Sequence, residues 1–235
     1  GEYNQTDVDT FISFLTFLMP IEDQRDTFLN WLAAKAQNFA NRGPAFLMIA
    51  TSQGVGRSTL GGMLATLFGE HNMTRVAFDE IASGAFNEWQ RYPLMWCDET
   101  LNLPDMDTGG KSFYRVYERL KGFIDTSPQK VTINPKYGRK ETITSYTSCI
   151  FVSNHMNAMK LAVGDRRFYV IENALQPEAP SYYTALNDWL VNDTWAESVW
   201  RWLQTLPVDL EQLTAPPVQT DIKEIMMEET ASPIT

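Results

Sequence analysis

Between Phe46 and Phe68 the chain changes its hydrophobic period, and this change limits the folds open to it more than any other stretch does. Phe46-Leu47-Met48-Ile49-Ala50 is an apolar run of strand length. Thr51-Ser52-Gln53-Gly54-Val55-Gly56 follows as a short loop with two glycines, and Leu60, Leu64 and Leu67-Phe68 then recur at helical spacing. Strand, glycine loop and helix in that order suit a nucleoside triphosphate. The glycines let successive N–H groups curl inward at phosphates, and the helix N-terminus adds the positive end of its dipole. Against the pattern G-x-x-x-x-G-K-[ST], Gly56 and Ser58 fit, Thr51 stands for the first glycine and Arg57 for the lysine. A tight turn between a strand and a helix is the plainer use of the same residues.

Further runs extend the pattern. Pro93-Leu94-Met95-Trp96-Cys97 is apolar and ends in Asp98-Glu99. In a phosphate-loop ATPase the first acid of such a pair holds Mg²⁺ and the second polarises the attacking water. Solvation of a strand end is the alternative. Ser148-Cys149-Ile150-Phe151-Val152 ends in Ser153-Asn154, where an amide side chain can hydrogen-bond both the water and the γ-phosphate, or simply make a turn. Asp165-Arg166-Arg167 precedes the apolar run Phe168-Tyr169-Val170-Ile171. An arginine there can serve a neighbouring subunit's nucleotide, or be a solvated strand start.

Taken in order, Gln53-Gly54-Val55-Gly56-Arg57-Ser58-Thr59-Leu60, Phe86-Asn87-Glu88-Trp89, Trp96-Cys97-Asp98-Glu99, Val152-Ser153-Asn154-His155 and Gly164-Asp165-Arg166-Arg167 resemble the superfamily-3 helicases, a branch of the AAA+ ATPases. The likeness is to the helicase modules of phage and plasmid primase–helicase or primase–polymerase proteins. It implies an α/β fold with a P-loop AAA+ type three-layer core, a central parallel sheet, and flanking N- and C-terminal helices. It divides the chain into a helical segment 1–44, an ATPase core 45–172 and a helical region 173–235. It also implies ATP bound by Gly54, Val55, Gly56, Arg57, Ser58 and Thr59, and Mg²⁺ held by Ser58 and Asp98. Glu99 and Asn154 would act on water and γ-phosphate, and Arg166 or Arg167 would be an arginine finger. Arg57 is the departure from the family pattern and bears on the turnover rate.

The stretch from Val131 to Thr144 alternates β-branched residues around Pro135-Lys136-Tyr137-Gly138 and reads as a β-hairpin. Lys136, Arg139 and Lys140 crowd its tip with Tyr137 among them, a set suited to gripping phosphates and stacking on a base. Its place before the Ser148–Val152 run matches the hairpin that moves DNA in superfamily-3 rings. This concentration matters because the net charge is −10, which argues against a broad DNA-binding surface but not against cations converging in a ring's central channel.

The remaining composition sets bounds. At 235 residues, 44% hydrophobic and 20% charged, the chain can bury one substantial core. No apolar run reaches membrane-spanning length, and the N-terminus does not open as a signal peptide. Gly1 in place of an initiating methionine points to further domains outside the sequence. Cys97 and Cys149 read as buried, reduced thiols of a cytoplasmic protein, and His71 and His155 make no metal site. Residues 4–41 carry aromatic residues at helical spacing broken near Pro20, giving two amphipathic helices packed on the core. Tryptophan-rich helices follow Ile171, as a lid or a contact to a neighbour. Together with these bounds, the resemblance to the superfamily-3 helicases implies an ATP-dependent DNA helicase or translocase of phage or mobile-element replication. It would work in a bacterial host's cytoplasm on single-stranded or forked DNA, as a homo-hexameric ring with a fused or associated primase or polymerase domain. The rivals are a non-hydrolysing or weakly hydrolysing P-loop scaffold, and a AAA+ loader or adaptor that binds ATP and DNA without unwinding.

Overall fold

The computed structural model describes residues 2–98, 119–155, 159, 161–174, 176–192 and 194–231. Helices α1 (Gln5–Leu18) and α2 (Glu22–Gln37) lead into strand β1 (Ala45–Ile49), helix α3 (Arg57–Phe68), strand β2 (Met73–Ala77), the short helix α4 (Phe78–Ser83) and strand β3 (Leu94–Asp98). Strands β4 (Gln129–Ile133) and β5 (Glu141–Ser145) form a separate antiparallel hairpin. Strands β6 (Ser148–Ser153) and β7 (Phe168–Glu172) follow, then helices α5 (Pro180–Leu190), α6 (Thr194–Leu203), α7 (Leu210–Thr214) and α8 (Asp221–Ala231).

Five strands make one parallel sheet in the order β2-β3-β6-β1-β7. Its central members read in sequence as unbroken apolar runs because both their faces are covered. Alternate residues divide between the two faces. Phe46, Met48, Trp96, Ile150, Val152, Tyr169 and Ile171 join the core formed with α1, α2, α3, α5 and α6. Leu47, Ile49, Met95, Cys97, Phe151 and Val170 join the opposite one, with Phe78 and Ile81 of α4 and Ile222 and Met226 of α8. The chain is therefore an α/β fold with a central parallel sheet and flanking helices.

The N-terminal aromatic residues pack on the first strand, as their spacing predicts. The Phe28 and Trp31 rings lie 5.3 and 5.1 Å from that of Phe46. The tryptophan-bearing C-terminal helices cover the same face: Trp200 meets Phe68 edge-on at 5.4 Å, and the Trp189 indole donates to Asp7 at 2.9 Å. Phe86-Asn87-Glu88-Trp89 leads into a 3₁₀ turn, Glu88–Arg91, before β3.

At the edge where the parallel strands begin, two buried cations tie the hairpin's base to the sheet. The Lys35 ammonium donates to the carbonyls of Phe39, Asn41 and Tyr146 at 2.7, 3.0 and 2.7 Å. Burial, reinforced by the Arg42 charge, pulls its pKa down to about 7. Arg42 donates to the carbonyls of Thr147, Ser127 and Phe123. Among the described residues, no helix is long and apolar enough to cross a membrane.

Candidate functional site

All five strands of the sheet point the same way, so the ends of β1, β3 and β6 open on one edge, where open α/β sheets bind ligands. Each end delivers one of the residues singled out in the sequence. Beyond β1, Gly54 and Gly56 take φ of 77° and 97°, left-handed values that a side chain disfavours. Gly56 then caps α3 with no side-chain hydrogen bond to its first turn. That end of a helix leaves N–H groups available for an anion. A Cβ at Gly56 would also come within 3.0 Å of the Phe14 ring, so α1 packs beneath the loop. Thr51, Gln53, Gly54 and Ser58 are exposed, while Val55 is buried under the loop and Thr59 is half-buried.

Arg57, Ser58, Asp98, Ser153 and Asn154 line one cavity of about 80 Å³ at this edge. That volume is below the range of roughly 300–1,000 Å³ typical of ligand pockets, so a nucleotide would have to lie across the exposed face of the loop. The cavity brings together the start of α3, the first acid and the amide. Glu99 lies outside the described residues.

Arg57 is buried and turned inward. One guanidinium nitrogen donates to the Ser153 carbonyl and another to the Asn154 side-chain oxygen. Burial lowers its pKa and the nearby Asp98 opposes that shift; a guanidinium still keeps its charge. The planar fork thus joins the glycine loop to the end of β6.

Asp98 is held at both oxygens. The Trp96 indole donates to Oδ1 at 2.6 Å, and Arg75 Nη1 lies 3.2 Å from Oδ2. Parallel pairing of β2 with β3 puts Arg75 opposite Trp96 and Ala77 opposite Asp98. Ser58 and Asp98 offer a hydroxyl and a carboxylate to the same cavity. That oxygen set suits Mg²⁺, which takes one or two carboxylates and keeps several waters. Among the described residues, no group of three or more His, Cys, Asp or Glu could hold a metal by itself.

Arg166 and Arg167 sit at the start of β7, at the opposite edge of the sheet, away from their own chain's glycine loop. Arg166 is exposed and Arg167 half-buried, and both line a cavity of about 180 Å³ with Asp125, Thr126 and Pro216. Asp165 fixes the segment by accepting from the N–H groups of Arg167 and Phe168 at 3.1 and 2.9 Å. The fully buried Lys223 lies 3.3 Å from the same carboxylate.

The hairpin forms as its alternation predicts, with residues 134–140 as a longer tip than the Pro-Lys-Tyr-Gly turn alone. Asn87 accepts from the Asn134 N–H at 2.6 Å, and Glu88 accepts from the Lys136 N–H at 3.1 Å. Arg91 pairs with Glu141. Lys136, Tyr137, Arg139 and Lys140 are all exposed, Tyr137 to 84%, and the Lys136 ammonium lies 5.8 Å from the Tyr137 ring centre.

Arg75 and Trp96 are the site neighbours that the sequence reading did not select. Arg75 follows from the pairing of β2 with β3, which an isolated sequence does not display, whereas Trp96 lies two residues before Asp98 on the same face of β3. One trace was legible: Gly61 lies inside α3, where glycine costs roughly 1 kcal/mol relative to alanine.

Comparison with known proteins gives three findings. The chain is 27% identical over 212 residues to the "DNA Primase-polymerase" of Nitratiruptor phage NrS-1. That match covers 87% of this chain but only 27% of the phage protein. Two solved apo structures of the NrS-1 C-terminal region superpose with TM-scores of 0.76 and 0.75 at 24% identity, over 95% of this chain and about half of theirs. At that identity the likeness speaks for the fold. Residues 48–167, just over half of the 235, match the model of the "Family of unknown function (DUF5906)". The chain belongs to that family.

Proposed function

We propose that this member of the DUF5906 family is an ATP-dependent DNA helicase or translocase module of the superfamily-3, AAA+ type, serving phage or mobile-element DNA replication. One observation carries the reading: Arg57 and Ser58, directly after the glycine loop, line one cavity with Asp98 and Asn154 at the carboxyl edge of a parallel sheet, with the β6 end between those of β1 and β3. The similarity to a phage primase-polymerase supports the biological setting. A fused or associated primase or polymerase domain fits the fraction of that protein this chain spans.

In this reading, Gly54, Val55, Gly56 and the start of α3 direct backbone N–H groups at the phosphates of ATP. Ser58 and Asp98 hold Mg²⁺, which when bound neutralises charge developing between the β- and γ-phosphates. Glu99 polarises the attacking water. Asn154 exchanges its bond to Arg57 for one to the γ-phosphate, and Arg57 turns to the phosphates. Arg166 or Arg167 serves a neighbour's nucleotide in a homo-hexameric ring, and Lys136, Tyr137, Arg139 and Lys140 grip single-stranded DNA in its channel.

The inward-turned Arg57 favours a second reading, a weakly hydrolysing scaffold or loader, because a guanidinium tied to β6 is not free for phosphates. Hydrolysis of ATP with and without single-stranded DNA, followed by strand displacement on a forked duplex, separates the readings. The helicase requires DNA-stimulated hydrolysis and displacement. Hydrolysis without displacement leaves the loader, and binding without hydrolysis leaves the scaffold. A chain that binds no nucleotide at any Mg²⁺ concentration ends all of them.

A further inference from the structure

The two contacts on Asp98 differ in kind. Trp96 is fully buried, so its indole fixes Oδ1 rigidly. Arg75 is 45% exposed and lies against an aspartate side chain that is itself 43% exposed, so the guanidinium can swing away and leave Oδ2 free. Space for this arrangement comes from Gly61. A Cβ there would lie 2.9 Å from Arg75 Nη2 and 2.9 Å from the Trp96 ring, so an alanine would crowd the guanidinium and the indole together.

We propose that Arg75 is an internal counter-cation that occupies Asp98 ahead of the metal, and that a Mg²⁺–nucleotide complex displaces it to load the site. This rests on the reading of the carboxyl edge as a nucleotide site. A guanidinium on Oδ2 opposes free Mg²⁺ in two ways, by covering the oxygen and by charge repulsion. Metal that arrives with the negative charge of a triphosphate is repelled less, so Arg75 makes metal loading depend on nucleotide. The pair is exposed enough to break easily, since exposed ion pairs are weak.

The test is the Mg²⁺ dependence of binding of a fluorescent ATP analogue, at constant ionic strength, by the parent, Arg75→Gln and Arg75→Lys. Arg75→Gln is expected to lower the Mg²⁺ concentration at half-saturation about two- to five-fold, the range an exposed ion pair supports. Arg75→Lys keeps the charge and stays near the parent. Electron paramagnetic resonance with Mn²⁺ alone provides a nucleotide-free arm, in which Arg75→Gln should bind Mn²⁺ more tightly than the parent. An unchanged midpoint in Arg75→Gln overturns the proposal. So does a raised midpoint, which would make Arg75 a ligand of the phosphates instead. If the parent binds no nucleotide, the reading of the site fails first and the proposal falls with it.

Discussion

At the scale of single residues, the chemistry turns on how Arg57 fills a position that the loop pattern gives to lysine. Lysine is a compact charge on a flexible stem, whereas arginine is a planar fork that pairs with two acceptors at once. Here the fork spans the Ser153 carbonyl and the Asn154 amide oxygen. Removing it with Arg57→Ala leaves those acceptors without their charged donor and, in the proposed reading, the phosphates without a cation. A hydrogen bond to a charged group contributes about 1.5–3 kcal/mol, so nucleotide affinity should fall about tenfold or more. Arg57→Lys keeps the charge but cannot bridge both acceptors, so it should retain binding, release Asn154 and hydrolyse ATP at least as fast as the parent. Titration with a fluorescent nucleotide, alongside steady-state ATPase rates, checks both. Affinity undiminished in Arg57→Ala would reduce the glycine loop to a turn. The sequence marks Arg57 as unusual, but its partner Asn154 lies 97 positions away, and only folding reveals that they meet.

At the scale of elements, the hairpin joins a fixed base to an exposed tip. Lys35 and Arg42 hold backbone carbonyls near its base, and Asn87 and Glu88 hold backbone N–H groups near its tip. Neutralising Lys136, Arg139 and Lys140 to Gln therefore leaves its anchors intact. If these cations contact single-stranded DNA, each lost contact should flatten the log–log salt dependence of affinity by about 0.7, or about 2 in all per chain engaged. A salt titration of DNA affinity for parent and triple variant measures this, and matching slopes would place DNA elsewhere. The hairpin was readable because alternation around a proline–glycine turn is a local signal. The sheet's strands were readable because doubly covered parallel strands leave continuous apolar runs. Their order was not, since inserting β6 between β1 and β3 is decided by pairings remote in sequence. The contact of Arg75 with Asp98 was hidden for the same reason, and the packing of α5 and α6 against α1 and α3 is equally non-local.

At the scale of the whole molecule, the parallel sheet separates two sets of candidate residues onto opposite edges. Its carboxyl edge holds Asp98 and Asn154, while its amino edge holds Arg166 and Arg167. A strand of five residues spans about 16 Å, so these arginines do not serve their own chain's loop. A head-to-tail contact that closes into a ring would set one chain's amino edge against the next chain's carboxyl edge. Of the two, Arg166 is the better placed to reach outward, because it is exposed, whereas the Arg167 Nε is buried. The buried Lys223–Asp165 pair braces the segment from within, so shortening Arg166 should not disturb the fold. Arg166→Ala is therefore expected to leave nucleotide binding close to the parent's. It should lower ATPase steeply, towards the roughly 10³–10⁵-fold that an arginine supplied in trans contributes in other P-loop enzymes. Arg167→Ala should do less. Mixing Arg166→Ala with Asp98→Asn tests the geometry directly, since each chain is defective at a different edge. An interface that joins the intact Asp98 of one chain to the intact Arg166 of the other is complete, and activity should reappear in proportion to such interfaces. If mixed assemblies form, as checked by mass, and the rate stays at the level of the separate variants, Arg166 does not act across an interface.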